Sequence, residues 1–165
     1  YVFEDLARIP VRVELASEFR YRNPILDPKG LVIIVSQSGE TADSLAALRE
    51  AKLRGIKTLG IVNVVGSSIA READNVFYTL AGPEISVATT KAYSTQLVAT
   101  YVLAIQFAKV KGTISEEKYE ELIRELQILP DKIRKIIEDD KERIQWFAAK
   151  QANARDAFFI GRGID

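Results

Sequence analysis

The sequence predicts an α/β protein with a doubly wound, three-layer αβα parallel sheet and additional C-terminal helices. Residues 31–35 and 58–64 form apolar runs rich in β-branched side chains, which is typical of strands buried on both faces. Between them, apolar residues recur at helical spacing. Strands that alternate with helices in this way favour right-handed βαβ units, in which the strands run parallel.

The N-terminal part of the chain begins with residues 1–6, which resemble the last turns of a helix. After Pro10, apolar residues alternate with Arg12 and Glu14, so residues 11–15 are predicted to form an edge strand with one buried face. Residues 23–30 contain two prolines in polar surroundings, which is typical of a turn-rich connection. The buried strand of residues 31–35 follows.

The middle of the chain continues the alternation. Apolar positions at helical spacing predict a helix over residues 42–53, which Gly55 ends. After the strand of residues 58–64 we expect a short helix over residues 67–72. A further strand over residues 75–80 ends at Ala81-Gly82-Pro83.

The C-terminal part is predicted to be mostly helical. Residues 89–111 form a long helix whose segment 92–108 carries no charge, although it is too short and too polar for a membrane span. Such a helix fits against a sheet or in a subunit interface, and it predicts a homodimer. Two amphipathic helices should follow, one from Ser115 to about residue 129 and one over residues 130–150. The last predicted strand covers residues 157–160.

The composition excludes several classes of protein. The chain has 165 residues, with 23 basic and 23 acidic side chains and neither histidine nor cysteine. Balanced charge gives no reason to expect nucleic acid or a membrane surface as a partner. Without imidazole or thiol groups we expect no zinc site, no disulfide and no metal or other cofactor. We predict a cytoplasmic protein of which this chain is a fragment.

The segment after the first buried strand is the strongest candidate for a binding site. Ser36-Gln37-Ser38-Gly39-Glu40-Thr41 brings three hydroxyls, an amide and a glycine to a helix N-terminus, where free amides and the helix dipole favour a phosphate. The alternative is that Ser38 or Thr41 is only a helix N-cap. The segment matches neither common glycine-rich nucleotide loop, which argues against ATP and NAD. Glu40 is expected to point outward, in the first turn of the helix.

Two other strands end in segments with weaker signals. Asn63 to Ser68 is interpreted as a turn whose serines cap a helix. After the last strand, Thr89 is expected to face the segment of residues 36–41, although Thr89 or Thr90 could equally be an N-cap. Glu84 and Lys91 are the ionisable residues there, and a structural role is favoured for Glu84.

Residues 36–41, together with the segment around Val87, resemble the sugar isomerase (SIS) domain, and more narrowly the isomerase part of the glutamine:fructose-6-phosphate aminotransferase family. The resemblance covers most of the chain. Further similar segments occur in the same order: residues 14–22, Asn63 with residues 66–68, Glu84 with residues 87–88, residues 90–92 and residues 159–163.

The resemblance implies a fold and a set of ligand contacts. The fold is an SIS-like sheet with the flavodoxin-like strand order 2-1-3-4-5. Ser36, Gln37, Ser38 and Thr41 would hold the phosphate of fructose 6-phosphate or glucosamine 6-phosphate, and Val87 and Thr89 would border the sugar. The family commonly has serine at the position of Thr89.

The resemblance also implies a domain organisation. Residues 1–112 would be a first SIS domain that lacks its N-terminal strand, residues 113–155 connecting helices, and residues 156–165 the first strand of a truncated second SIS domain. The parent enzyme would make glucosamine 6-phosphate from fructose 6-phosphate and glutamine. Its glutaminase domain and second SIS half would supply ammonia and the catalytic groups, so this fragment would hold no catalytic residue and be inactive alone.

Two other functions are compatible with the same residues. One is a non-catalytic SIS module that senses a phosphosugar in a regulator. The other is an interaction domain in which residues 36–41 do no more than cap a helix.

Overall fold

The structure is a computed structural model that describes residues 1–86, 89, 91–158 and 160–161. The chain divides into two units, Tyr1–Leu122 and Ile123–Asp165. In chain order, the elements of the described residues are α1 (Val2–Ala7), α2 (Ala16–Phe19), β1 (Leu31–Ser36), α3 (Ala42–Leu53), β2 (Lys57–Val62), α4 (Ser68–Glu72), β3 (Asn75–Tyr78), α5 (Ala92–Lys111), α6 (Glu116–Asp139) and α7 (Lys141–Lys150).

The sheet of the first unit is parallel, with the strand order β1-β2-β3. The register pairs Ser36 with Val62 and Val62 with Tyr78. The three strands therefore end side by side, and the segments that follow them leave from one edge of the sheet. The predicted α/β fold, a parallel sheet flanked by helices, is confirmed.

The core lies between this sheet and helices α2, α3 and α4. Its buried members are Phe19, Ile34, Ala47, Leu48, Val62 and Ile69. α4 approaches β2 closely at Gly60, where an added Cβ would lie 2.9 Å from Ile69 Cγ2. Ile61, which points to the opposite face of β2, is also buried, so β2 is covered on both sides. The prediction of two buried faces is wrong for β1, because Leu31 and Val35, on one face of that strand, are 39% and 47% exposed.

Helix α1 is fixed to the end of α5. Phe3 and Phe107 make an edge-to-face contact with 5.6 Å between ring centroids. The last carbonyls of α1 are satisfied from the C-terminal end of α5: Lys111 Nζ donates to Ala7 O at 3.0 Å and Thr113 Oγ1 donates to Leu6 O at 2.6 Å. The prediction that residues 1–6 end a helix is confirmed.

The strand predicted over residues 11–15 is wrong. These residues lie outside any strand of the described chain, and Val13 and Leu15 are 89% and 66% exposed. Local polar contacts hold the segment instead, because Val11 N donates to Glu4 Oε1 at 3.1 Å and Arg22 pairs with Glu14. An alternating pattern becomes a strand only when a partner strand is available.

The predicted helix boundary at Pro130 is also wrong. α6 continues through Pro130 to Asp139, and α7 begins immediately afterwards. The amphipathic pattern continues on both sides of the proline, and an ion pair between Glu125 and Lys132 bridges it. These interactions offset the hydrogen bond that a proline removes from a helix interior.

The strand predicted at the C-terminus is not observed. Residues 157, 158 and 160 lie outside any strand, while Phe159 and residues 162–165 lie outside the described residues. None of the helices in the described parts of the chain combines the length and the apolar character that a membrane crossing requires.

Asp74 joins the start of β2 to the turn before β3. Its Oδ2 accepts hydrogen bonds from Thr58 N at 2.8 Å and from Thr58 Oγ1 at 2.9 Å, and Thr58 is fully buried. These bonds, from the hydroxyl and the amide, lower the pKa of the Asp74 carboxyl, and Lys52 and Lys57 lower it further.

The lowered pKa of Asp74 predicts a specific pH dependence of stability. The carboxylate stabilises the fold above the pKa of an unfolded aspartate, about 3.9, and this contribution is lost as the pH falls through its lower folded pKa. We expect Asp74→Asn to lower the urea midpoint at pH 7, with a smaller difference from the parent near pH 3. Asp156→Asn, at an exposed position, is the control. Equal pH profiles for Asp74→Asn and the parent would contradict the prediction.

Candidate functional site

The candidate site begins with residues 36–41, the serine loop, which connects β1 to α3. Ser36 Oγ accepts a hydrogen bond from Gly39 N at 3.1 Å, and Ser38 Oγ accepts one from Glu40 N at 3.2 Å. Thr41 Oγ1 lies 3.4 Å from Ser36 Oγ. The loop thus folds into a tight turn that brings the Ser36 and Thr41 hydroxyls together at the end of β1. The role of its three hydroxyls in binding a phosphate stays a prediction.

The hydroxyls of this loop do not cap α3. Thr41 occupies the N-cap position, but within the described residues no side chain makes a capping hydrogen bond to this helix. Ser38 bonds inside the loop instead. Thr41 is thus the N-cap of α3 by position, but neither its hydroxyl nor that of Ser38 makes a capping hydrogen bond to the helix.

The serine loop is held against the N-terminus of α4. Ile69 N donates to Gly39 O at 3.0 Å, and Ser68 N donates to Glu40 Oε1 at 2.8 Å. Hydrogen bonds from Ser68, with the cation of Arg71 nearby, hold the pKa of the Glu40 carboxyl below its ordinary value. Glu40 is exposed, as expected, but it precedes α3 and caps α4 instead.

The serines that were expected to cap α4 do not do so. The Ser67 hydroxyl is buried and has no hydrogen-bond partner in the described chain. Gly39, at φ +68°, packs closely against it, since an added Cβ would lie 2.1 Å from Ser67 Oγ. This close approach leaves Glu40 as the acceptor for the first amide of the helix.

A cleft of about 570 Å³ opens at the same edge of the sheet, beyond the ends of the three strands. Gln37 of the serine loop, Asn63 after β2, and Gly82 and Glu84 after β3 form its polar wall, and Val64, Val65 and Leu80 form an apolar wall. A cleft that combines polar and apolar lining groups suits a small ligand that has hydroxyls and a carbon skeleton. Among the predicted site residues, the structure places Gln37 in this cleft.

The segment between β3 and α5 carries the remaining predicted site residues. Thr89 is partly buried and its backbone has φ +52°, a strained conformation for a β-branched residue. Its amide donates to Ser86 O at 3.2 Å. Val87 and Thr90 lie outside the described residues. The proximity of Thr89 to the serine loop therefore stays a prediction.

Glu84 organises the backbone of this segment. Its carboxylate accepts hydrogen bonds from Ser86 N at 3.2 Å and from Lys91 N at 3.4 Å, just before α5 begins. A carboxylate at a helix N-terminus is stabilising. These contacts agree with the structural role that the sequence favours for Glu84.

Comparison with known proteins identifies the family. A protein-family model described as "SIS domain" matches residues 1–106. The chain belongs to the SIS domain family. The resemblance to the SIS domain family, which the sequence analysis based on the serine loop and on further similar segments, is thereby confirmed.

Relatives of this SIS domain agree over the whole chain. It is 59% and 58% identical over 165 residues to glutamine–fructose-6-phosphate aminotransferases (isomerizing) from Caldanaerobacter subterraneus subsp. tengcongensis and Clostridium tetani, covering 100% of this chain and 27% of each relative. The C-terminal domain of glucosamine-fructose-6-phosphate aminotransferase from Francisella tularensis superposes with a TM-score of 0.85 at 37% identity, covering 92% of this chain and 43% of that one. The chain thus spans about a quarter of the length of these curated relatives.

Two contacts of this SIS domain were missed by the sequence analysis. Asn63 was interpreted as part of a capping turn, yet its side chain bonds to the segment after β3. Glu40 bonds across to α4. An asparagine directly after a buried strand is a local signal that could have drawn attention to the contact of Asn63 with the segment after β3.

Proposed function

We propose that this chain is the sugar-phosphate-binding part of the isomerase domain of a glutamine:fructose-6-phosphate aminotransferase, with fructose 6-phosphate or glucosamine 6-phosphate as its ligand. The observation that carries the proposal is the serine loop, in which Ser36 Oγ and Thr41 Oγ1 lie 3.4 Å apart at the N-terminus of α3, and the Thr41 side chain makes no capping hydrogen bond. Similarity over the whole chain to proteins named as such enzymes supports it.

The phosphate is held without a cation. Hydroxyls of Ser36, Ser38 and Thr41 donate to its oxygens, while the amides and positive dipole of α3 balance its charge. Glu40, the one acidic side chain of the loop, accepts a hydrogen bond from the Ser68 amide at the start of α4. The loop thus supplies an anion site of fixed shape.

The sugar extends from the phosphate into the cleft beside it. Gln37 reaches this cleft, while Val87 and Thr89 border the sugar from the segment before α5. Gln37 pairs with sugar hydroxyls, and the apolar wall covers the carbon skeleton. Fixing both ends of the ligand aligns it for reaction.

The chemistry itself is done by other parts of the parent protein. Moving a proton between C1 and C2 of the sugar needs a base within hydrogen-bonding reach. The chain contains no histidine or cysteine, and the Glu84 carboxylate at the cleft already accepts hydrogen bonds from Ser86 N and Lys91 N. A second SIS half supplies the catalytic groups, and a glutaminase domain supplies ammonia. This chain binds and orients the substrate in the cytoplasm and is inactive alone.

The test uses the full-length protein that contains this chain. With glutamine and fructose 6-phosphate present, we expect glucosamine 6-phosphate to form, and fructose without phosphate to be inert. Binding of fructose 6-phosphate without any aminotransfer would favour a phosphosugar sensor instead. Absence of both activity and binding would contradict the proposed function.

We also propose that the parent protein is a homodimer in which α5 contributes to the interface. Tyr93, Leu97 and Tyr101 are four residues apart and form an exposed apolar stripe, with exposed fractions of 64%, 37% and 39%. Sedimentation of the full-length protein is expected to give a dimer, and Leu97→Lys is expected to shift it towards monomer. A monomeric parent protein at micromolar concentration would contradict this proposal.

A further inference from the structure

Asn63 occupies the point at which the segments after all three strands meet. It follows β2, which is the middle strand of the sheet. Its backbone amide donates to Gln37 O at 3.0 Å, on the serine loop. Its side chain turns the other way, towards the segment that follows β3.

The side chain of Asn63 makes three hydrogen bonds to that segment. Oδ1 accepts from Ala81 N at 2.7 Å and from Thr79 Oγ1 at 3.2 Å, and Nδ2 donates to Gly82 O at 2.8 Å. Both acceptor positions of the oxygen are thus occupied. The residue is therefore built to hold protein backbone rather than to bind a ligand.

The backbone that Asn63 holds is strained. Leu80 has φ +51°, a conformation that a leucine rarely adopts, and it lies between two of the bonded residues. Such a conformation persists only where the surroundings impose it. The bonds to Thr79, Ala81 and Gly82 provide that restraint.

Asn63 and the segment that it holds both line the cleft in which we place the sugar. Asn63 lies in the cleft wall between Gln37 on one side and Gly82 and Glu84 on the other. Leu80, Gly82 and Glu84 of the segment after β3 line the same cleft as Gln37 of the serine loop. The position of this segment relative to the serine loop therefore sets the width of the cleft.

We propose that Asn63 is a positioning residue that holds residues 79–82, which include part of the cleft wall, at a fixed distance from the phosphate-binding serine loop. This inference rests on the proposed function. Replacing the side chain leaves the backbone bond to Gln37 intact, so the phosphate site should survive. The segment after β3 loses its restraint, so recognition of the sugar should suffer.

The test compares a whole ligand with its phosphate part. In the full-length protein, calorimetry measures the Kd of fructose 6-phosphate and of inorganic phosphate for the parent and for Asn63→Ala. We expect Asn63→Ala to raise the Kd of fructose 6-phosphate about tenfold, as loss of about one hydrogen bond would, and to change the Kd of phosphate less than about twofold. A residue that only stabilises the fold would not change the ratio of the two constants.

Two milder variants keep the test decisive if Asn63→Ala does not fold. Asn63→Asp keeps the acceptor for Thr79 and Ala81 but cannot donate to Gly82, and Thr79→Val removes one bond from the partner side. We expect Asn63→Asp to raise the ratio of the Kd of fructose 6-phosphate to the Kd of inorganic phosphate. Thr79→Val should raise this ratio less.

The outcomes separate this inference from the proposed function. An unchanged ratio of the two constants in Asn63→Ala, or in Asn63→Asp if that variant alone folds, would overturn the inference. Failure of the parent protein to bind fructose 6-phosphate would instead overturn the proposed function, and the inference with it.

Discussion

Gly39→Ala is expected to distort the serine loop and to weaken sugar-phosphate binding by about tenfold or more. An alanine at φ +68° costs about 1–2 kcal/mol, because left-handed backbone brings Cβ close to the following carbonyl. The new Cβ would also lie 2.6 Å from Ser67 Cβ and 2.1 Å from its Oγ. Ser67 Cβ is fixed to the start of α4, so a rotamer change cannot relieve that contact, and overpacking adds about 1–3 kcal/mol.

Measurement of urea midpoints and of the Kd of fructose 6-phosphate checks this expectation. The matched control is Ser67→Gly, which removes both clashing atoms and costs no hydrogen bond made by that hydroxyl within the described chain. In a Ser67→Gly background, Gly39→Ala should lose less stability and affinity, because the clash with Ser67 is gone. The loss that comes from the left-handed backbone of residue 39 should remain. A Gly39→Ala protein as stable and as tight-binding as the parent would show that the loop geometry is different.

Ser38→Ala is expected to weaken fructose 6-phosphate binding by about 10- to 150-fold, since a hydrogen bond to a charged phosphate contributes about 1.5–3 kcal/mol. Its effect on stability should be small, below about 1 kcal/mol, because the Glu40 amide that it frees is exposed and can bond to water. Calorimetric titration and urea unfolding separate the two effects.

The matched control for Ser38→Ala is Ser17→Ala, which removes an exposed hydroxyl from α2, outside the site. We expect its affinity to equal that of the parent. If Ser38→Ala also bound fructose 6-phosphate as tightly as the parent, Ser38 would have no role in holding the phosphate.

The parts of the fold that could be predicted from the sequence are those encoded locally. β2 is a buried run, and α3 buries Leu48 and Ala51, which the helical spacing selects. β1 is only partly buried, since Val35 is 47% exposed, and α3 also buries Ser44 and Ala47, which the apolar spacing did not select. Residues 11–15 carry an equally clear local pattern, yet a strand also needs a partner, and that is a long-range property. At Pro130 a local signal was overridden by the regular amphipathic pattern on either side.

In the candidate site, too, some features could be predicted from the sequence and others could not. The hydroxyls of the serine loop are neighbours in sequence, so their convergence could be predicted from residue type and strand order. The contact of Glu40 with Ser68 spans 28 residues, and that of Asn63 with Ala81 spans 18. Their partners are backbone amides, which have no sequence signature, so only the folded chain reveals them.

The most direct test of the central claim is a crystal structure of the full-length protein with fructose 6-phosphate. The account predicts phosphate oxygens about 2.5–3.0 Å from the hydroxyls of Ser36, Ser38 and Thr41, with the sugar extending past Gln37. A phosphate bound elsewhere in the protein, with the serine loop contacting no part of the ligand, would contradict it.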